Sequence, residues 1–269
     1  MFTELARPRP DSVVGMATIL GHELVGTGPR RIVVLNDWLC DTSTWQSARA
    51  YLDRTRFTWA FADLRGYGRS RAHSGEYNLL EAAADVMSLA DALAWGRFAI
   101  VSHSMSTYIA MHLGQHAFER VERVVLITPG PPRGFGADEA WLRDAQASAR
   151  DDTKRAQRVR ERFAERLSPG WAEYKCTRWL ATSNADAAAS YIAMYARDGL
   201  PEPAAPIRVP VLAITGEEDA PVMRAAAVEE NLRPLCSQLE VSPLTQCGHY
   251  PMEELPPRTV SLVERFCGS

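Results

Sequence analysis

The sequence predicts an α/β fold with a mostly parallel central sheet flanked by helices. Three observations carry that expectation. Short apolar runs recur along the chain, turn residues follow each of them, and helix-spaced segments separate one run from the next. A length of 269 residues, 46% of them hydrophobic, suits one large α/β unit with a sizeable core.

Taken in order, the strand candidates are RRIVVLN (30–36), FTWAFAD (57–63), FAIVSH (98–103), RVVLITP (123–129), PVLAITG (210–216) and QLEVSPL (238–244). Few polar residues interrupt them, the pattern of strands buried on both faces. Residues 78–94, NLLEAAADVMSLADALA, place Leu79, Ala82, Val86, Leu89 and Leu93 at helical spacing. Strand and helix in alternation give βαβ units, hence parallel strands. The composition changes at 131–205: PPRGFG opens a charged, helix-like stretch with Trp141, Trp171 and Trp179, and LPEPAAPIRVP closes it. This segment reads as a helical insertion between two strands, leaving 1–130 and 206–269 as the core.

Charge and cysteine usage narrow the function classes. Thirty Lys plus Arg against 33 Asp plus Glu give a formal charge of -3 with no basic or acidic tail, so neither nucleic acid nor a membrane surface is an expected partner. A small, mainly apolar molecule is the expected ligand. The five cysteines show no CxxC or finger-like Cys/His spacing, which points to free thiols, no structural metal and a reducing cytoplasm. The opening MFTELARPRPDSVVG lacks the apolar stretch of a leader peptide. No nucleotide, flavin or metal motif is visible, so no cofactor is expected.

In a parallel α/β sheet, ligands bind at the carboxyl ends of the strands. Ser104 stands at such an end, between FAIVSH and the helical run that follows, in the setting of a nucleophile elbow. That turn needs small residues two places before and after the nucleophile; here they are Ser102 and Ser106 rather than glycine. A serine hydroxyl needs an imidazole to take its proton and a carboxylate to orient the imidazole. TGEED puts Asp219 after one later strand, and CGHYPMEE puts His249 after the last, completing the order Ser, Asp, His. His103 adjoins Ser104 but points to the other face of a strand, so it is expected to support the site rather than act as base. Cys40 and Cys247 are expected to be buried, inert thiols. Trp38, Trp45, Tyr67, Tyr108 and the three tryptophans of the insertion offer aromatic surface for an apolar pocket.

With VGTGPRRIVVLNDW, DLRGYGRSR (63–71), VSHSMS, TGEED and CGHYPMEE in place, the chain resembles the α/β-hydrolase superfamily from about residue 21 to 268. The resemblance implies an esterase-like core with residues 131–205 as a helical cap inserted after the sixth strand. It also implies an oxyanion hole formed by the backbone amides of Trp38 and Met105. The first loop departs from the family, which commonly carries His-Gly where this chain has Asn36-Asp37. Asp tolerates left-handed backbone better than most residues. A carboxylate facing an oxyanion opposes catalysis, so Asp37 is expected to turn away and bond the backbone or a neighbouring loop; the alternative is that it polarises a water or a substrate hydroxyl. Tyr250, with Asn36, Asp37, His103 and Ser106, is expected around the site.

These features predict a serine hydrolase acting on a small ester, thioester or lactone, with C–C bond hydrolysis open to the same residues. Two alternatives share the fold. A cofactor-independent dioxygenase would use His249 to deprotonate a heteroaromatic substrate; that group resembles a version with its acid after the preceding strand, where this chain reads ITPGPP. A ligand-sensing receptor would carry Ser at the position of Ser106.

Overall fold

The computed structural model describes residues 18–163, 168–201 and 204–269. The N-terminal stretch read above for a leader lies outside these residues. Seven strands form one sheet: β1 (His22–Val25), β2 (Arg30–Leu35), β3 (Phe57–Ala62), β4 (Phe98–His103), β5 (Val121–Ile127), β6 (Val211–Gly216) and β7 (Leu239–Leu244), in the order β1-β3-β2-β4-β5-β6-β7. Only β1 runs antiparallel to its neighbour. Every residue of β3, β4 and β6 is buried, as their predominantly apolar sequences predict.

The six predicted strands are present within two residues of their expected limits. β1 is the addition: HELV, half-buried on an edge and interrupted by Glu23, carries too little alternation to stand out. β7 holds Pro243 on the opposite edge, where a missing ladder donor is tolerated.

The helices are α1 (Leu79–Ala92), α2 (Thr107–His116), α3 (Glu139–Arg150), α4 (Asp152–Phe163), α5 (Pro169–Thr182), α6 (Ala185–Ala193), α7 (Ala225–Leu232), α8 (Pro251–Glu254) and α9 (Pro256–Gly268). Asn78 caps α1 by accepting from the Glu81 amide at 3.0 Å, which explains the start of the helix. Helices α3–α6 fill the interval between β5 and β6, with α3 against α6 and α4 against α5. The insertion therefore follows the fifth described strand in chain order, not the sixth.

The DLRGYGRSR loop fastens the front of the sheet to this insertion. Asp63 accepts from the Thr42 amide (2.7 Å) and the Arg69 amide (2.9 Å), bracing the loop after β2. Gly68, at φ +46°, passes so close that a Cβ there would meet the Asp63 carboxylate at 2.3 Å. The Gly66 carbonyl accepts from the Asn184 amide at 2.7 Å, at the head of α6. Arg65 forks onto Asp85 of α1 at 2.6 and 2.8 Å, a buried bidentate pair.

Candidate active site

β4 delivers Ser104 into a turn with φ +52°, a left-handed conformation that a non-glycine residue holds only when its surroundings enforce it. Ser106 supplies part of that enforcement: its Oγ accepts from the His103 amide and donates to the His103 carbonyl, both at 3.0 Å. Ser102 Oγ donates sideways to the Val125 carbonyl of β5 at 3.2 Å. Small hydroxyl side chains thus fit where glycine was missing, and they add hydrogen bonds.

His249 reaches the same point on the loop that follows β7. Its Nε2 lies 2.9 Å from Ser104 Oγ, and its Nδ1 lies 2.6 Å from Asp219 Oδ2. The three residues predicted from three separate strand ends are therefore one hydrogen-bonded chain. The loop that carries His249 is held along its length. Glu254 accepts from the Gly248 and Tyr250 amides at 2.8 and 3.0 Å, and the His249 carbonyl accepts from His103 Nε2 at 2.6 Å and Thr128 Oγ1 at 3.3 Å. His103 is fully buried, and that burial holds its pKa down at about 3, so the ring stays neutral and acts as a strut. Asp219 Oδ1 accepts from the Ala220 amide at 2.7 Å, and Asp219 caps no helix.

Asp37 bonds backbone amides and a neighbouring loop, as the sequence suggested, but it does not turn away from the site. Its side chain turns into the site, and Oδ1 accepts from both the Trp38 amide (2.6 Å) and the Met105 amide (3.2 Å). Those are the two donors assigned to the oxyanion hole, so the carboxylate occupies the position that the oxyanion would take. Tyr250 Oη donates to Asp37 Oδ2 at 3.2 Å, and His249 Nε2 stands 3.4 Å from the same oxygen. Tyr250, more than two hundred residues along the chain, fixes the carboxylate in this orientation. The left-handed residue of the loop is Leu39, at φ +65°, rather than Asp37. Asn36 lies behind, donating to the Ala62 carbonyl at 3.3 Å, and does not line the cavity.

A cavity of about 780 Å³ opens above Ser104 and His249. Trp38, Met105, Tyr108 and Tyr250 line it from the sheet side, and Phe135, Trp141 and Tyr195 from the inserted segment. Trp38 and Tyr108 thus serve as expected, whereas Trp45 and Tyr67 are fully buried in the core. Trp171 and Trp179 pack on the Tyr250 ring, with centroids 5.5 and 6.2 Å away. Phe135 and Tyr195 carry no signal in the sequence, because only the return of the segment over the sheet edge brings them to the site. All five cysteines are buried and free, and burial pushes the Cys40 thiol up to about 12. Among the described residues, Asp37, His103 and His249 bring ligand-type atoms within 4.8 Å of one another, a consequence of the network around Asp37. No described helix is long and apolar enough to cross a membrane.

Comparison with known proteins finds enzymes of the same fold. The chain is 26% identical over 217 residues to 3-oxoadipate enol-lactonase 2 of Acinetobacter baylyi, spanning 78% of this chain and 79% of that protein. The crystal structure of the enol-lactonase from Burkholderia xenovorans LB400 superposes with a TM-score of 0.77 at 25% identity, covering 93% of this chain and 96% of the other. A thermophilic esterase from Thermogutta terrifontis shares the fold with a TM-score of 0.76 at 22% identity, over 91% of this chain and 92% of its own. A model of the alpha/beta hydrolase family matches residues 32–262, so the chain belongs to that family and is a hydrolase.

Proposed function

We propose that the protein hydrolyses a small ester, thioester or lactone through an acyl-enzyme on Ser104. The observation that supports this most directly is the chain Asp219–His249–Ser104, with separations of 2.6 and 2.9 Å, beneath an aromatic cavity. The enol-lactonase and esterase relatives support the same bond class.

In this mechanism Ser104 Oγ attacks the carbonyl carbon as its proton passes to His249 Nε2, while Asp219 holds the ring and stabilises the imidazolium. The tetrahedral oxyanion needs the Trp38 and Met105 amides, so Asp37 Oδ1 must release them as the substrate settles. Collapse breaks the carbonyl carbon to leaving-oxygen bond, or carbon to sulfur in a thioester, and His249 returns the proton to the leaving group. Water, deprotonated in turn by His249, attacks the acyl-enzyme; the carbonyl carbon–Oγ bond then breaks, and His249 returns the proton to Ser104 Oγ as the acid leaves. The inserted segment acts as a cap, contributing Phe135, Trp141 and Tyr195 and thereby shape to the substrate site.

Intact-mass spectrometry after exposure to a fluorophosphonate probe tests this assignment. One adduct on the wild type, absent from Ser104→Ala and His249→Ala, is expected. No adduct on folded wild type overturns the acyl-enzyme and favours proton abstraction by His249 or ligand sensing.

A further inference from the structure

Asp37 is a charge placed where acyl transfer needs none. Its Oδ1 already holds the amides of Trp38 and Met105, its Oδ2 holds Tyr250 Oη, and the residue is 2% exposed. A carbonyl oxygen that enters the hole must evict this carboxylate. A buried carboxylate stripped of two N–H donors retains its full desolvation cost with less to offset it. An ester with no donor of its own offers Asp37 nothing in exchange for those two amides.

A substrate with an ammonium group next to its carbonyl changes the balance. The ammonium gives the carboxylate a charged donor in exchange for the two amides, and the amides are released to the oxyanion. The remainder of the cavity favours the same charge. Asp138 and Glu218 are exposed lining residues, Asp219 and Glu254 complete the acidic lining, and no Lys or Arg is among the lining residues. The rings of Phe135, Tyr195 and Trp38 run along the wall in edge contact, with centroids 6.4 and 6.3 Å apart, and offer faces over which a cation is attracted.

We propose that the site selects substrates bearing a protonated amine beside the scissile ester or lactone carbonyl, and that Asp37 recognises the ammonium and vacates the oxyanion hole as it does so. This rests on Ser104 being the nucleophile. It separates the chain from its enol-lactonase relatives: oxoadipate is a dicarboxylic acid, so its enol-lactone keeps one carboxyl group free, and the acidic lining here repels such a group.

Four ethyl esters that share the 3-phenylpropanoyl unit and differ only in the group on the carbon beside the carbonyl test it: phenylalanine (ammonium), phenyllactate (hydroxyl), phenylpropionate (hydrogen) and the half-ester of benzylmalonate (carboxylate). The expected order of kcat/KM follows that sequence, with the phenylalanine ester ahead of the phenylpropionate ester on the order of 10- to 100-fold, the size of one hydrogen bond to a charged group. Asp37→Asn keeps the shape and Asp37→Gly clears the hole; in both the ratio is expected to fall to about one, and in the glycine variant the phenylpropionate ester is expected to gain in absolute rate. A wild type that treats the two esters alike, or a ratio that survives in both variants, overturns the proposal. Fluorophosphonate labelling of the same preparations separates the two possible failures. A Ser104 adduct without amine preference defeats the selection by Asp37 alone, and no adduct defeats the acyl-enzyme beneath it.

Discussion

Replacing Lys175 with methionine tests how the inserted helices are fastened to the loop that carries His249. Lys175, on α5, forms an ion pair with Glu253, on α8; the side chains are only 2% and 11% exposed. The ammonium also lies 4.4 Å from the Tyr250 ring centroid and 5.3 and 5.4 Å from those of Trp171 and Trp179. Trp171 Nε1 donates to the second Glu253 oxygen at 2.8 Å. Burial raises the Glu253 carboxyl above its usual range, and the Lys175 charge is the largest influence opposing that rise. Methionine fills a similar volume but leaves the carboxylate in place with its charged partner gone. Breaking one side of a buried pair costs about 3 to 5 kcal/mol, which for a chain of this size reads as a Tm drop of roughly 6 to 20 °C. Removing both charges in Lys175→Met/Glu253→Gln is expected to recover most of the loss, because the glutamine carbonyl still accepts from Trp171. Thermal and urea unfolding of the four corner proteins measures the coupling. A single-variant loss below about 1 kcal/mol, or a double variant as unstable as the two singles summed, would refute the reasoning.

Two further expectations concern the struts around His249. A Cβ at Gly216 would stand 2.1 Å from the Gly248 carbonyl oxygen and 2.6 Å from that of Cys247, both backbone. Gly216→Ala is expected to cost about 1 to 3 kcal/mol by pushing the His249 loop off β6, and to slow fluorophosphonate labelling of Ser104 on the order of 100-fold. Wild-type labelling in that variant would show that the close approach does not position His249. His103 has a folded pKa of about 3 against 6.5 for the free side chain, so between those values the unfolded chain binds a proton that the folded chain refuses. Its contribution to stability is complete above about pH 6.5 and is lost as the pH falls, at up to about 1.4 kcal/mol per pH unit. Asp63, raised by burial to about 6, acts in the opposite sense as the pH falls from 6 towards 4, in wild type and variant alike. His103→Gln should therefore flatten the fall in stability below pH 6.5, and identical pH profiles would exclude His103 as its source.

Much of this architecture was legible before any coordinates. Runs that are apolar and buried over most of their length stand out, so β2 to β6 announced themselves, while β1, short and half-exposed, did not. Ser104, Asp219 and His249 could be placed together because chain order and parallel strand ends leave few other arrangements. Lys175 gave no sign: nothing local distinguishes an ion-paired, buried lysine from one on a solvated helix face.

The fold, the three residues that meet at the sheet edge, and the need for small side chains around Ser104 can be read from the amino-acid order, because each follows from local periodicity, chain order or the sterics of one turn. Where Asp37 points is set by the folded chain. Its orientation is a contest among acceptors and donors on separate segments, the Trp38 and Met105 amides, Tyr250 Oη and His249, which become neighbours only when β2, β4 and the final loop converge. A carboxylate that is buried must find donors, and which donors lie within reach is a property of the folded chain.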